Sequence, residues 1–75
     1  MMKLFEVPEG KEVVVKDIIG GYGMKRRLAS LGIYPGAKIR VLKSPPGPLI
    51  VEVCRSRFAL GKGVAKRISV EGEEG

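Results

Sequence analysis

Histidine is absent from this chain, and cysteine occurs once, as Cys54. Without an imidazole there is no Ser-His-Asp triad, no Cys-His nucleophile pair and no histidine metal site. Eight scattered carboxylates and one thiol make no ligand cluster for zinc or another transition metal. One thiol cannot close an intrachain disulfide, so the expected compartment is reducing and cytoplasmic. Aromatic residues are scarce, only Phe5, Tyr22, Tyr34 and Phe58. No two of them alternate along a strand, as a stacking platform for nucleic-acid bases requires. No apolar run approaches the roughly 20 residues that cross a bilayer. The opening MMKLFEVPEGKE carries acids and a Pro-Glu-Gly, unlike a secretory signal. No catalytic residue, cofactor or metal ligand is therefore assigned.

What the chain has is positive charge. Its 75 residues hold 14 Lys and Arg against 8 Asp and Glu, a net charge of +6. Three of the acids, Glu71, Glu73 and Glu74, fall in the last five positions, leaving 14 bases against 5 acids, a net of +9, before them. The expected division is one domain over 1–70 and a flexible acidic tail over 71–75. Such a body favours acidic partners: nucleic acid, anionic lipid or an acidic protein surface.

The 11 glycines and 5 prolines punctuate the rest. After Pro8-Glu9-Gly10, the β-branched run over 12–19 predicts a strand, closed by Gly20-Gly21-Tyr22-Gly23. Met24, Leu28 and Leu31 recur at i, i+4 and i+7, predicting a short helix over 24–31. Gly32 fits the left-handed position after it, and Ile33 the hydrophobic contact of a Schellman ending. Tyr34-Pro35-Gly36-Ala37 predicts a type II turn. Strands follow over 38–43, 49–54, 57–60 and 66–70. Ser44-Pro45-Pro46-Gly47-Pro48 separates the first two, Arg55-Ser56 connects the second to the third, and Gly61-Lys62-Gly63 with a turn at Val64-Ala65 precedes the last. The fold class is mainly β, a small closed or nearly closed barrel of about five strands with one short helix after the first. The expected core is Val13, Val15, Ile18, Leu28, Leu31, Ile39, Val41, Leu49, Val51, Val53, Phe58, Leu60, Ile68 and Val70.

The stretch from Arg26 to Leu42, RRLASLGIYPGAKIRVL, resembles the signature of the FeoA family: a basic helix ending in Leu-Gly, an aliphatic residue, Pro-Gly, then an alternating strand. The apolar turn with Pro8 and Gly10, the strand from Pro48 to Val53, and Arg57-Phe58-Ala59-Leu60 align with the family in the same order. The resemblance covers nearly all of the chain except the acidic tail. It implies an SH3-like β-barrel and a role in ferrous iron uptake beside FeoB, a membrane transporter with a cytoplasmic G-protein domain. The chain departs from the family at Gly61-Lys62-Gly63-Val64-Ala65, where relatives often carry charged helix-forming residues.

Glycines before a helix can cradle phosphate, but Gly20-Gly21-Tyr22-Gly23 has neither P-loop nor Rossmann spacing. Cys54 reads as a small buried or half-buried apolar residue. The expected partner-binding set is Tyr22, Met24, Lys25, Arg26 and Tyr34: aromatic and apolar anchors beside cations, the composition hot spots favour. The leading expectation is a non-catalytic, cytoplasmic accessory protein that binds and modulates a FeoB-type transporter. The membrane is met only through that transporter or by weak electrostatics, and self-association stays open. The alternatives are a small basic nucleic-acid-binding barrel, ranked lower for want of aromatics, and a free-standing regulatory domain related to metal-dependent repressors.

Overall fold

A computed structural model of the protein describes residues 1–72. In chain order the elements are strand β1 (Met2–Lys3), a 3₁₀ turn (Leu4–Glu6), β2 (Glu12–Ile18), helix α1 (Tyr22–Ser30), β3 (Lys38–Lys43), β4 (Leu49–Val53), β5 (Ser56–Leu60), helix α2 (Lys62–Ala65) and β6 (Ile68–Gly72). All strand pairs are antiparallel, and the hydrogen-bonded order is β1-β6-β2-β3-β4-β5. This is the expected mainly-β, SH3-like architecture.

Among the described residues there are six strands, where about five were expected. The additional one, β1, is two residues long and pairs Met2 with Val70 and Lys3 with Ser69. Two residues show no periodicity, so nothing in the sequence marks them as strand. The sheet also rolls up without closing: β1 and β5 are its edges among the described residues. The 3₁₀ turn and α2 pack together, with the Lys62 ammonium 5.9 Å from the centroid of the Phe5 ring.

The core lies on the inner face of this roll. Side chains alternate across a strand, so β3 buries Ile39 and Val41, and β4 buries Leu49, Val51 and Val53. Strict alternation in β2 would follow Val13 and Val15 with Asp17. A bulge prevents that. The register with β6 runs Val15 to Val70 and then Asp17 to Ser69, leaving Lys16 as the extra residue. The bulge puts Asp17 outside and Ile18 inside.

Two expected core residues differ. Leu31 caps the end of α1 and is 42% exposed, and Phe58 is only partly buried against the core. Their places are taken by Leu4, Val7, Ile33, Ala37 and Ala65, from turns and short helices where no period is visible. The tight connection after β4 is Cys54-Arg55, not Arg55-Ser56. Both residues have positive φ, 50° and 69°, as a type I′ hairpin demands. Cys54 is consequently exposed, not half-buried, because it belongs to the turn and not to the strand. Strand β6 runs past residue 70: its Glu71 and Gly72 pair with Val14 and Val13 of β2, and Glu71 meets Lys16 at 3.5 Å. The rest of the expected tail, 73–75, lies outside the described residues.

Candidate partner-binding groove

The helix that follows β2 starts at Tyr22, two residues before the expected Met24, because Gly21 takes the extended N-cap position at φ −73°, ψ 167°. Its C-terminus is a Schellman motif. Gly32 N–H donates to the Ala29 carbonyl at 3.0 Å, and Ile33 N–H to the Leu28 carbonyl at 2.9 Å. Gly32 sits at φ +92°, a conformation costly for a residue with a Cβ. A Cβ there would also lie 2.9 Å from Val53 Cγ1. The chain thus reverses in a single step, and Ile33 is driven fully into the core.

The type II turn follows as expected, with Ala37 N–H donating to the Tyr34 carbonyl at 2.9 Å and Gly36 at φ +95°. Two bonds tie this turn to β2, Gly36 N–H to the Val15 carbonyl at 2.8 Å and Val15 N–H to the Ala37 carbonyl at 2.9 Å. The segment from Ile33 to Pro35 is thereby held beside the end of β2 and opposite α1.

A groove of about 320 Å³ runs between them. Tyr22, Lys25, Arg26 and Ala29 line it from α1, at i, i+3, i+4 and i+7 on one helix face. Asp17 and Ile18 of β2, with Ile33, Tyr34 and Pro35, line the other side. Ile18 and Ile33 are buried and form an apolar floor. Tyr22 and Tyr34 stand at the rim, 76% and 49% exposed. The Arg26 guanidinium carbon lies 5.6 Å from the Tyr22 ring centroid, a cation–π contact that orients both side chains.

Four of the five expected partner residues, Tyr22, Lys25, Arg26 and Tyr34, therefore surround one cavity. Met24 does not. It is half-buried against the core, and its side chain covers Gly20 so closely that any Cβ at residue 20 would collide with the Met24 methyl group. Met24 lies on the inward stripe with Leu28, so it packs against the core and not into the groove. Asp17, Ile18, Ala29, Ile33 and Pro35 complete the lining without having been assigned to it. The Schellman pattern at Gly32 was a usable signal for Ile33. The expected core already skips from Val15 to Ile18, and the bulge at Lys16 is what gives that spacing and turns Asp17 outward.

Chemically the groove offers apolar contact, two aromatic edges, two cations and one carboxylate. No three His, Cys, Asp or Glu side chains come together as a metal site among the described residues. None of the described helices is long and apolar enough to cross a membrane.

A family model described as the FeoA domain matches residues 2–72. A Methanocaldococcus jannaschii protein named "Putative Fe(2+) transport protein A" is 42% identical over 74 residues, covering 99% of this chain and 90% of that one. A crystal structure of an iron uptake regulatory protein, FeoA, is 41% identical with a TM-score of 0.83, over 93% of each chain. The FeoA of Stenotrophomonas maltophilia, solved with zinc and described as a procaryotic SH3 domain protein, is 36% identical with a TM-score of 0.80, covering 95% of this chain and 91% of that one.

Proposed function

The chain belongs to the FeoA family, and on that premise we propose that it is a non-catalytic accessory protein of ferrous iron uptake. It works on the cytoplasmic side and binds a FeoB-type transporter through the groove between α1 and the Ile33–Pro35 segment. The observation that carries this reading is the groove itself, a preformed apolar floor between Tyr22 and Tyr34 with Lys25 and Arg26 beside it. An aliphatic or aromatic side chain of the partner fills the floor, and full burial of one such group is worth about 1.5–3 kcal/mol. Lys25 and Arg26 receive acidic groups flanking that anchor. Rim charges of this kind act mainly on the rate of encounter and on specificity. The protein modulates transport only to the extent that it prefers one state of the transporter over another.

The test is a titration of purified, membrane-embedded transporter with this protein and with three variants. Tyr22→Ala and Arg26→Glu are each expected to weaken binding about tenfold or more, as loss of a hot-spot side chain does. Leu31→Ala, at the far end of α1, is expected to bind as the unmodified protein does. Unchanged affinity in both groove variants would refute the surface. No binding by the unmodified protein would refute the partner.

A further inference from the structure

The end of the sheet where β2 leaves its pairing with β6 adjoins the groove and carries exposed residues beyond its lining. Ile18 and Ile68 are register partners, and both are buried. The next pair along, Ile19 and Arg67, must then face outward together. The Ile19 N–H donates to the Arg67 carbonyl at 2.8 Å, which fixes their juxtaposition. Ile19 is 54% exposed, an aliphatic side chain half in water, and three residues on Tyr22 is 76% exposed. Between them Gly20 is covered by Met24, while Gly21 is open: a Cβ built on it would meet nothing within 4 Å.

Around this tip the positive charge is unneutralised. Lys16, Arg40 and Arg57, elsewhere on the sheet, pair with Glu71, Glu12 and Glu52. Lys25 and Arg26 of α1, and Lys66 and Arg67 before β6, pair with no carboxylate among the described residues. Asp17, two residues before Ile19, is the one acid of the adjoining groove lining.

We propose that this tip docks the protein peripherally on an anionic lipid bilayer. Ile19 and Tyr22 enter the headgroup region, and Lys66, Arg67, Lys25 and Arg26 contact lipid phosphates around them. An exposed apolar tip beside cations without ion-pair partners has the two components that interfacial binding requires, apolar area and attraction to anionic lipid. The amphipathic ring of a tyrosine favours that depth. A protein partner is the poorer fit, because Ile19 and Arg67 lie on an outward strand end with no cavity of their own. The tip shares Tyr22, Lys25 and Arg26 with the groove of the transporter reading. Its core residues, Ile19, Lys66 and Arg67, are outside the groove lining.

The experiment is co-sedimentation of the full chain with phosphatidylcholine vesicles, with and without one third phosphatidylglycerol, at low and high salt. Binding is expected on the anionic vesicles only, weakening with salt. Lys66→Glu with Arg67→Glu removes four units of charge and is expected to lower partitioning on the order of a hundredfold. Ile19→Ser is expected to lower it about tenfold through lost apolar insertion. Lys43→Glu with Arg55→Glu, equal in charge change but at the β3–β5 side, should have a smaller effect than the first pair. No binding to anionic vesicles overturns the proposal. So does an equal loss from both charge pairs, which would mean attraction without a surface, and so does an Ile19→Ser variant that binds fully. Binding that appears only when the transporter is present in the vesicles would make this tip a protein interface and would overturn it as well.

Discussion

Replacing Gly32 by alanine tests the link between helix ending and groove. Gly32 has φ +92°, and an L-residue held in the left-handed region costs about 1–2 kcal/mol. The new Cβ would sit 2.9 Å from Cγ1 of Val53, which is itself 1% exposed and has nowhere to retreat. Overpacking of this kind adds about 1–3 kcal/mol. The total, about 2–5 kcal/mol, is a large share of what a domain this small possesses. Unfolding followed by circular dichroism should show a melting point lowered by roughly 10–40 °C. Gly36→Ala is the internal comparison. Gly36 has φ +95° but open space around its Cβ direction, so only the conformational cost applies. The difference between the two variants then measures the Val53 contact. In a Val53→Ala background that difference should shrink, because the colliding methyl is gone. A Gly32→Ala protein as stable as Gly36→Ala would refute the packing argument. Where the Gly32 variant still folds, its groove should bind the partner less well, since Ile33 is set by the same two hydrogen bonds.

Two further outcomes are expected. Ile33→Ala should cost about 2–5 kcal/mol by leaving a void under the groove, whereas Leu31→Ala, two residues away and 42% exposed, should cost well under half of that in the same denaturant titration. Cys54, exposed in its type I′ turn, should react with a maleimide in the folded protein at stoichiometric yield without loss of secondary structure, as read by mass spectrometry and circular dichroism; slow labelling that needs denaturant would contradict the placement of that turn.

Much of the fold was legible because its devices are local. The strand over β2, the helix stripe of Leu28, the Schellman ending at Gly32 and the type II turn at Pro35-Gly36 each depend on a few neighbouring residues and on backbone sterics. The same is true of the cationic excess and of the absence of histidine. Where the structure departed, the determinants were distant in sequence. β1 exists because β6 offers Met2 and Lys3 a partner about 66 residues away, and pairing of that range leaves no period in the chain. Cys54-Arg55 turns with two non-glycine residues because β4 and β5 fix the register on either side. Leu31 read as core on a helical stripe, but the helix stops there and the next turn of stripe is never built.

The groove divides the same way. Tyr22, Lys25, Arg26 and Tyr34 stood out by type and by nearness to turns, and the sequence alone determined that they border the helix and the turn after it. Tertiary structure decided that they share one cavity, that Met24 faces away from it over Gly20, and that Asp17 joins them. The physical reason is the bulge at Lys16. A single extra residue in β2 inverts the facing of everything after it; the broken alternation from Val15 to Ile18 is visible in the sequence, but only the pairing with β6 places the extra residue at Lys16.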